Sequence, residues 1–242
     1  MQYYNAIETP SLAKSLRSNS AKLLLAWPIY FVMYLVTEKI PISECHVIHC
    51  ALDDMIPFNE YFAIFYFLWY PLVFGSLLYL FIYDIKSFAK LQTFIIITQV
   101  LAMAVYIIYP SIQTGRPEII GDNICCNAMR FIYSVDTPTG VCPSLHVAYS
   151  LGLISVWVKR KKTPVLWQTF VALSSIMICL PVVFVKQHSV IDVMVAIPVS
   201  LIAEYIVFGR WYQAVFRLTK IKIKKEPYPL LRLLGYTFKQ NQ

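Results

Sequence analysis

Long stretches without a charged side chain dominate this chain and limit what it can fold into. No Asp, Glu, Lys, Arg or His interrupts the run from Tyr61 to Tyr83, the run from Leu91 to Tyr109, or the run from Pro164 to Val185. About 20 apolar residues in helical form match the hydrocarbon thickness of a bilayer. Only 14% of the 242 residues are charged and 58% are hydrophobic, whereas a soluble domain carries about 25% charged residues. The expected fold is all-α, a polytopic membrane protein. In that setting the formal net charge of +8 belongs to cytoplasmic loops, and no nucleic-acid partner is expected.

Six spans are expected: Leu23 to about Val36, Tyr61–Tyr83, about Leu91–Tyr109, Ser144 to Lys159, Pro164–Val185 and His188–Phe208. The basic residues fall on one side of this arrangement. They are Lys14, Arg17 and Lys22 at the start, Lys86 and Lys90 after the second span, Lys159 to Lys162 after the fourth, and the tail from Arg210 to Lys225. The opposite side receives an acidic loop with Glu38, Glu44, Asp53, Asp54 and Glu60, then the long 110–143 loop, then Lys186-Gln187. Such a bias places both ends of the chain in the cytoplasm. Residues 1–22 are then a cytoplasmic segment, 23–208 a six-helix transmembrane catalytic domain and 209–242 a basic tail at an anionic leaflet. The first span contains Pro28, and no small-residue cleavage site follows it, so it is expected to be retained.

The same topology puts Cys45, Cys50, Cys125, Cys126 and Cys142 on the outer side, where disulfides persist; Cys179 lies inside the fifth span. Sequence alone leaves the pairing open. Cys45-His46-Val47-Ile48-His49-Cys50 has the composition of a zinc site. A local disulfide or free thiols are the expected state on the outer side, and no metal or cofactor is expected.

Chemistry concentrates at two helix starts. His188 and Asp192 are four residues apart and so share a helix face; the carboxylate fixes one imidazole nitrogen and leaves the other free to attack. Ionisable residues inside a membrane helix are costly and functional by default. His146, preceded by Pro143-Ser144-Leu145, opens the fourth span on the same outer side. Two helix amino ends with free N–H groups attract an anion. The guanidinium of Arg116 suits phosphate, and Ser144, Lys186 and Arg130 are further candidate phosphate ligands. The matching chemistry is metal-independent phosphoryl transfer, with His188 as nucleophile, His146 as general acid and base, and a membrane lipid phosphate as substrate.

At these residues the chain resembles the type 2 phosphatidic acid phosphatase superfamily. Arg116-Pro117 matches the end of its first motif, Pro143-Ser144-Leu145-His146 nearly matches its second, and His188-x3-Asp192 matches the end of its third. Tyr109 stands where that family has a motif lysine, and Pro181-Val182 where it has Ser-Arg. The Pro-Ser-Leu-His form is similar to the branch that includes inositol phosphorylceramide synthases. The resemblance implies a lipid phosphate phosphatase, or alternatively a phosphotransferase moving a phosphorylated headgroup between lipids. A non-catalytic lipid-binding or transport protein on the same frame is the other reading. Transporters favour broken mid-membrane helices and duplicated halves, and no duplication is present here.

The topology is checked with reporters fused after Met1 and after Gln242. Both should report the cytoplasm, and a cysteine introduced at Glu118 should be labelled only from outside.

Overall fold

Helices satisfy their own backbone groups within one segment, which is why apolar runs of this kind fold as helices in lipid. The computed structural model describes residues 12–161 and 163–209. In chain order the helices are α1 (Leu12–Leu16), α2 (Ala26–Thr37), α3 (Ala51–Met55), α4 (Ala63–Tyr83), α5 (Ile85–Ile108), α6 (Ile124–Val135), α7 (Leu145–Lys159), α8 (Val165–Cys179), α9 (Pro181–Phe184) and α10 (Val190–Phe208). Strands β1 (His46–Val47) and β2 (Ser111–Ile112) pair in parallel, His46 opposite Ser111 and Val47 opposite Ile112. They tie the loop after α2 to the loop after α5.

Five helical stretches are long and apolar enough to cross a membrane: Asn19–Thr37, Glu60–Tyr83, Ile85–Ile108, Val165–Phe184 and Val190–Phe208. The chain is therefore a multi-pass helical membrane protein. The span expected from Ser144 is shorter than the rest. Its helix, α7, has 15 residues, about 22 Å at ~1.5 Å per residue, less than the ~20 residues a lipid-facing span requires. The reason is its position: α7 is enclosed by α4, α5, α8 and α10, so protein rather than lipid covers most of its length. By contrast, only 11% of the most apolar window of Asn19–Thr37 is buried, against 56% for α5. Trp27 Nε1 donates to Gln92 Oε1 at 3.1 Å and pins α2 to α5.

The core joins Leu77, Leu80, Phe88, Ile95, Leu153 and Trp157 across α4, α5 and α7. Gly152 is what lets α7 approach α5: a Cβ there would lie 2.6 Å from Phe94 Cδ1. Helices α7 and α10 run parallel. At their starts the Ser144 backbone N–H donates to the Asp192 carbonyl at 3.2 Å. Toward their ends Lys159 and the Ser155 hydroxyl both engage the Glu204 carboxylate. The parallel packing thus makes Lys159 a partner of Glu204.

The 110–143 loop is not featureless. Asn123 Oδ1 accepts the Cys126 N–H at 2.8 Å and so caps α6. Cys125, Cys126, Met129 and Ile132 form the buried stripe of that helix. The tail reading for 209–242 lies outside the described residues apart from Gly209, as does residues 1–11 of the amino-terminal segment.

Gly152→Val should lower stability by about 1–3 kcal/mol through overpacking against Phe94. Gly75→Ala, where nothing lies within 4 Å of the added Cβ, should leave stability unchanged or slightly raised. Thermal unfolding of the detergent-solubilised protein, followed by tryptophan fluorescence, compares the two.

Candidate active site

The turn between α9 and α10 aims His188. The backbone N–H groups of Gln187 and His188 both donate to the Val182 carbonyl at 3.0 Å, with Lys186 at φ 51° between them and α9. Ser189 then caps α10: its hydroxyl accepts the Ile191 N–H at 3.2 Å. Asp192 Oδ2 in return accepts the Ser189 N–H at 3.0 Å. The same Oδ2 lies 3.2 Å from His188 Nδ1. Asp192 is fully buried. With that carboxylate as acceptor, the ring proton resides on Nδ1 and Nε2 carries a free lone pair.

His146 faces it from the first turn of α7. The ring centroids of His146 and His188 are 5.6 Å apart with an interplanar angle of 64°. His146 is held between Tyr66 at 4.7 Å and Trp69 at 4.5 Å. Its Nε2 is buried with no hydrogen-bond partner, as are Ser144 Oγ, Arg116 Nε, Gln187 Nε2 and Asp192 Oδ1. A buried polar atom left unpaired costs about 1–3 kcal/mol, so several around one pair of histidines mark a place that accepts a polar ligand or water. Ser144 sits at the cap of α7 without capping it, which leaves the N–H groups of that helix start open as well.

Arg116 joins the pair through Gln187. Its Nη1 donates to the Asp136 carbonyl at 2.7 Å, and its Nη2 to the Thr137 carbonyl at 3.1 Å and to Gln187 Oε1. The guanidinium also stacks 4.7 Å above the Tyr133 ring, and Tyr133 Oη donates to the Val185 carbonyl at 2.7 Å. Burial pulls the Arg116 pKa below its ordinary value, while the neighbouring Asp136 charge opposes the shift.

Lys186 and Arg130 are placed otherwise. Lys186 Nζ donates to the carbonyls of Asp53 at 2.6 Å and Ile56 at 2.5 Å, closing the end of α3. Arg130 donates to Asn127 Oδ1 at 2.6 Å, to the Ile119 carbonyl at 3.1 Å and to the Gly121 carbonyl. Both cations answer backbone oxygens, Lys186 those at the end of α3 and Arg130 those of the stretch just before α6. Neither joins the histidine pair, contrary to the sequence expectation for them. Tyr109 stacks on His46 with centroids 4.1 Å apart. Pro181 and Val182 are buried and contribute the Val182 carbonyl rather than a charge.

Sequence reasoning missed Gln187, Tyr66, Asp136 and Asp53. Gln187 had a signal, since it precedes His188. Asp53 had none. It arrives from α3, where its carboxylate accepts the Val190 N–H at 2.8 Å, the Ser189 hydroxyl at 2.5 Å and the Cys50 N–H at 2.9 Å. Burial alone would raise its pKa, but these hydrogen bonds outweigh it and hold the carboxyl below the usual range. Asp136 goes the other way: burial pushes it up, against the opposing charges of Arg116 and His188. Burial and the Asp192 charge together push the Cys142 thiol up to about 12. All six cysteines are free. His49 Nε2 lies 2.9 Å from Asp54 Oδ1, and no group of three His, Cys, Asp or Glu that could hold a metal occurs among the described residues.

A carboxyl with a depressed folded-state pKa stabilises the fold above its unfolded value, and that contribution disappears as pH falls through the folded value. Asp53→Asn should therefore cost about 2 kcal/mol above about pH 5. The gap between it and the parent should close as the medium is acidified below about pH 4. Thermal unfolding of both proteins across that range reads the gap.

Comparison of the chain with protein-family models, with curated proteins and with solved structures finds no match. What the site does must follow from its geometry.

Proposed function

We propose that the chain is an integral membrane phosphoryl-transfer enzyme of the lipid phosphate phosphatase type, as its motifs resemble. It crosses the membrane six times with α7 as the shielded fourth span, keeps both ends in the cytoplasm and opens its site outward. One observation carries the reading. Two imidazoles 5.6 Å apart stand at the starts of two parallel helices, one buttressed by Asp192, the other with a buried, unpartnered Nε2.

In the first step His188 Nε2 bonds to phosphorus as the bond from phosphorus to the lipid oxygen breaks. Protonated His146 passes its proton to that oxygen. Tyr66 and Trp69 pack against the His146 ring and hold its orientation. In the second step His146 takes a proton from water, the water oxygen bonds to phosphorus and the phosphorus–nitrogen bond breaks. Arg116, Ser144 Oγ and the open N–H groups of α7 stabilise charge on the remaining phosphoryl oxygens.

A second reading has its own observation. Among the described residues, Arg116 is the one guanidinium linked to the pair, because Lys186 and Arg130 are hydrogen-bonded elsewhere. A single cation matches a diester monoanion better than a monoester dianion. Transfer of a headgroup to an alcohol then replaces transfer to water.

Purified protein is assayed against lipid phosphate monoesters, pyrophosphates and diesters, with water or inositol as acceptor. His188→Ala should reduce turnover by roughly 10³-fold and His146→Ala by ~10²–10⁴-fold, with size-exclusion behaviour and unfolding temperature retained. Turnover that persists in His188→Ala rules out the mechanism.

A further inference from the structure

Helix α6 has three faces, and the rest of the described chain covers only one of them. Cys125, Cys126, Met129 and Ile132 make up the covered face; Met129 and Ile132 pack there with Ala63 and Tyr66 of α4. Asn127, Arg130 and Ser134 make up a polar face, on which Arg130 donates to Asn127 Oδ1 at 2.6 Å. Between the two lies an apolar face. Ile124, Ala128, Phe131 and Val135 follow one another at spacings of four, three and four residues, which aligns them in a single stripe. Ile124 is 84% exposed, Phe131 58% and Val135 62%, and Ile120 just ahead of the helix is 87% exposed. Ala128 borders the covered face and is partly buried against it.

What covers this stripe follows from how α6 sits on the bundle. At its start Asn123 Nδ2 donates to Glu60 Oε1 at 3.1 Å. At its end Tyr66 Oη donates to Asp136 Oδ2 at 3.3 Å. Glu60 opens the membrane-crossing stretch Glu60–Tyr83, and Tyr66 lies about 9 Å further along it, at ~1.5 Å per residue. The carboxyl end of α6 is therefore tied to a level inside that stretch. Ile64 and Phe67, on either side of Tyr66 in sequence, are exposed on α4 and belong to its lipid-facing surface. The stripe of α6 continues that apolar belt. A second copy of the chain fits less well. One stripe of four side chains offers roughly a few hundred Å², against ~800 Å² per partner in a stable interface.

We propose that α6 is an interfacial helix, its Ile124, Phe131 and Val135 face seated in the acyl boundary of the leaflet on the histidine side and its Asn127, Arg130 and Ser134 face turned to water. Such a seat does not require phosphoryl-transfer chemistry. It does bear on the site: Arg116 stacks on Tyr133 of α6 and binds the carbonyl of Asp136 at its end. The helix held by the leaflet is the platform of the guanidinium.

Photocrosslinking in a bilayer reads which face meets lipid. Full-length protein carrying p-benzoylphenylalanine in place of Phe131, Val135 or Asn127 is reconstituted into phosphatidylcholine–phosphatidylglycerol vesicles and irradiated, and adducts are identified by mass spectrometry. The same substitution at Leu78, an exposed residue of α4, gives the yield of a membrane-facing position. Positions 131 and 135 should form lipid adducts at a yield near that of position 78 and at least ~tenfold above that of position 127. Adducts from 131 and 135 to a second copy of the chain, in place of lipid, make the stripe a contact between copies and overturn the proposal. Lipid yields at 131 and 135 no higher than at 127 overturn it as well. Matching size-exclusion profiles of the four variants and the parent show that the fold is retained, as expected for substitutions at exposed side chains.

Discussion

A single buried carboxylate, Asp192, organises the candidate site. It is fully buried, and an isolated charge in such a place is strongly disfavoured. Its position is made tolerable by what it binds: the Ser189 N–H that begins α10 and the His188 ring. Its main-chain carbonyl accepts the Ser144 N–H that begins α7. One residue thus caps one helix, orients one histidine and holds the second helix start alongside. The distance between the two imidazoles is a consequence of that arrangement.

Around Asp192 the loops are assembled by hydrogen bonds to backbone groups more than by apolar contact. Asp53 reaches the start of α10, and Lys186 reaches back to the end of α3, so each loop satisfies orphan groups of the other. Arg116 closes the opposite side by binding two carbonyls and Gln187, and Tyr106 Oη holds the Pro143 carbonyl at 2.8 Å. In a layer where helices end and lipid begins, unsatisfied N–H and C=O groups are expensive. The loops are shaped by the need to pair them. That need explains why all three candidate cations are engaged with main chain, with Arg116 in addition binding Gln187, the neighbour of His188.

The opposite ends of the helices follow the same rule with different groups. Asp84 accepts the Ser87 N–H at 3.2 Å and caps α5, while Arg160 Nε lies 2.9 Å from the same carboxylate. Hydrogen bonding there overcomes burial and holds the Asp84 carboxyl below the usual range. With Lys159 and Glu204 this fastens the ends of α4, α5, α7 and α10, and leaves α7 fixed at both ends inside the bundle. Fixed ends on rigid helices are what a pair of reacting side chains needs if their spacing is to be reproducible.

The sequence by itself determined that the chain is helical and embedded in a membrane, that basic residues gather on one set of loops, and that His188 and Asp192 share a helix face. These properties are local: hydropathy over a window, charge per loop, and a four-residue spacing. The shortness of α7 was not legible, because it depends on neighbours that cover it, nor was α6, whose stripe of Cys125, Cys126, Met129 and Ile132 is buried only against the rest of the bundle. Nothing near Asp53 signals that it meets Val190, and nothing near Lys186 signals that it reaches the carbonyls of Asp53 and Ile56. Which donor meets which acceptor across the fold is decided by how the helices pack, and only the tertiary structure holds that information.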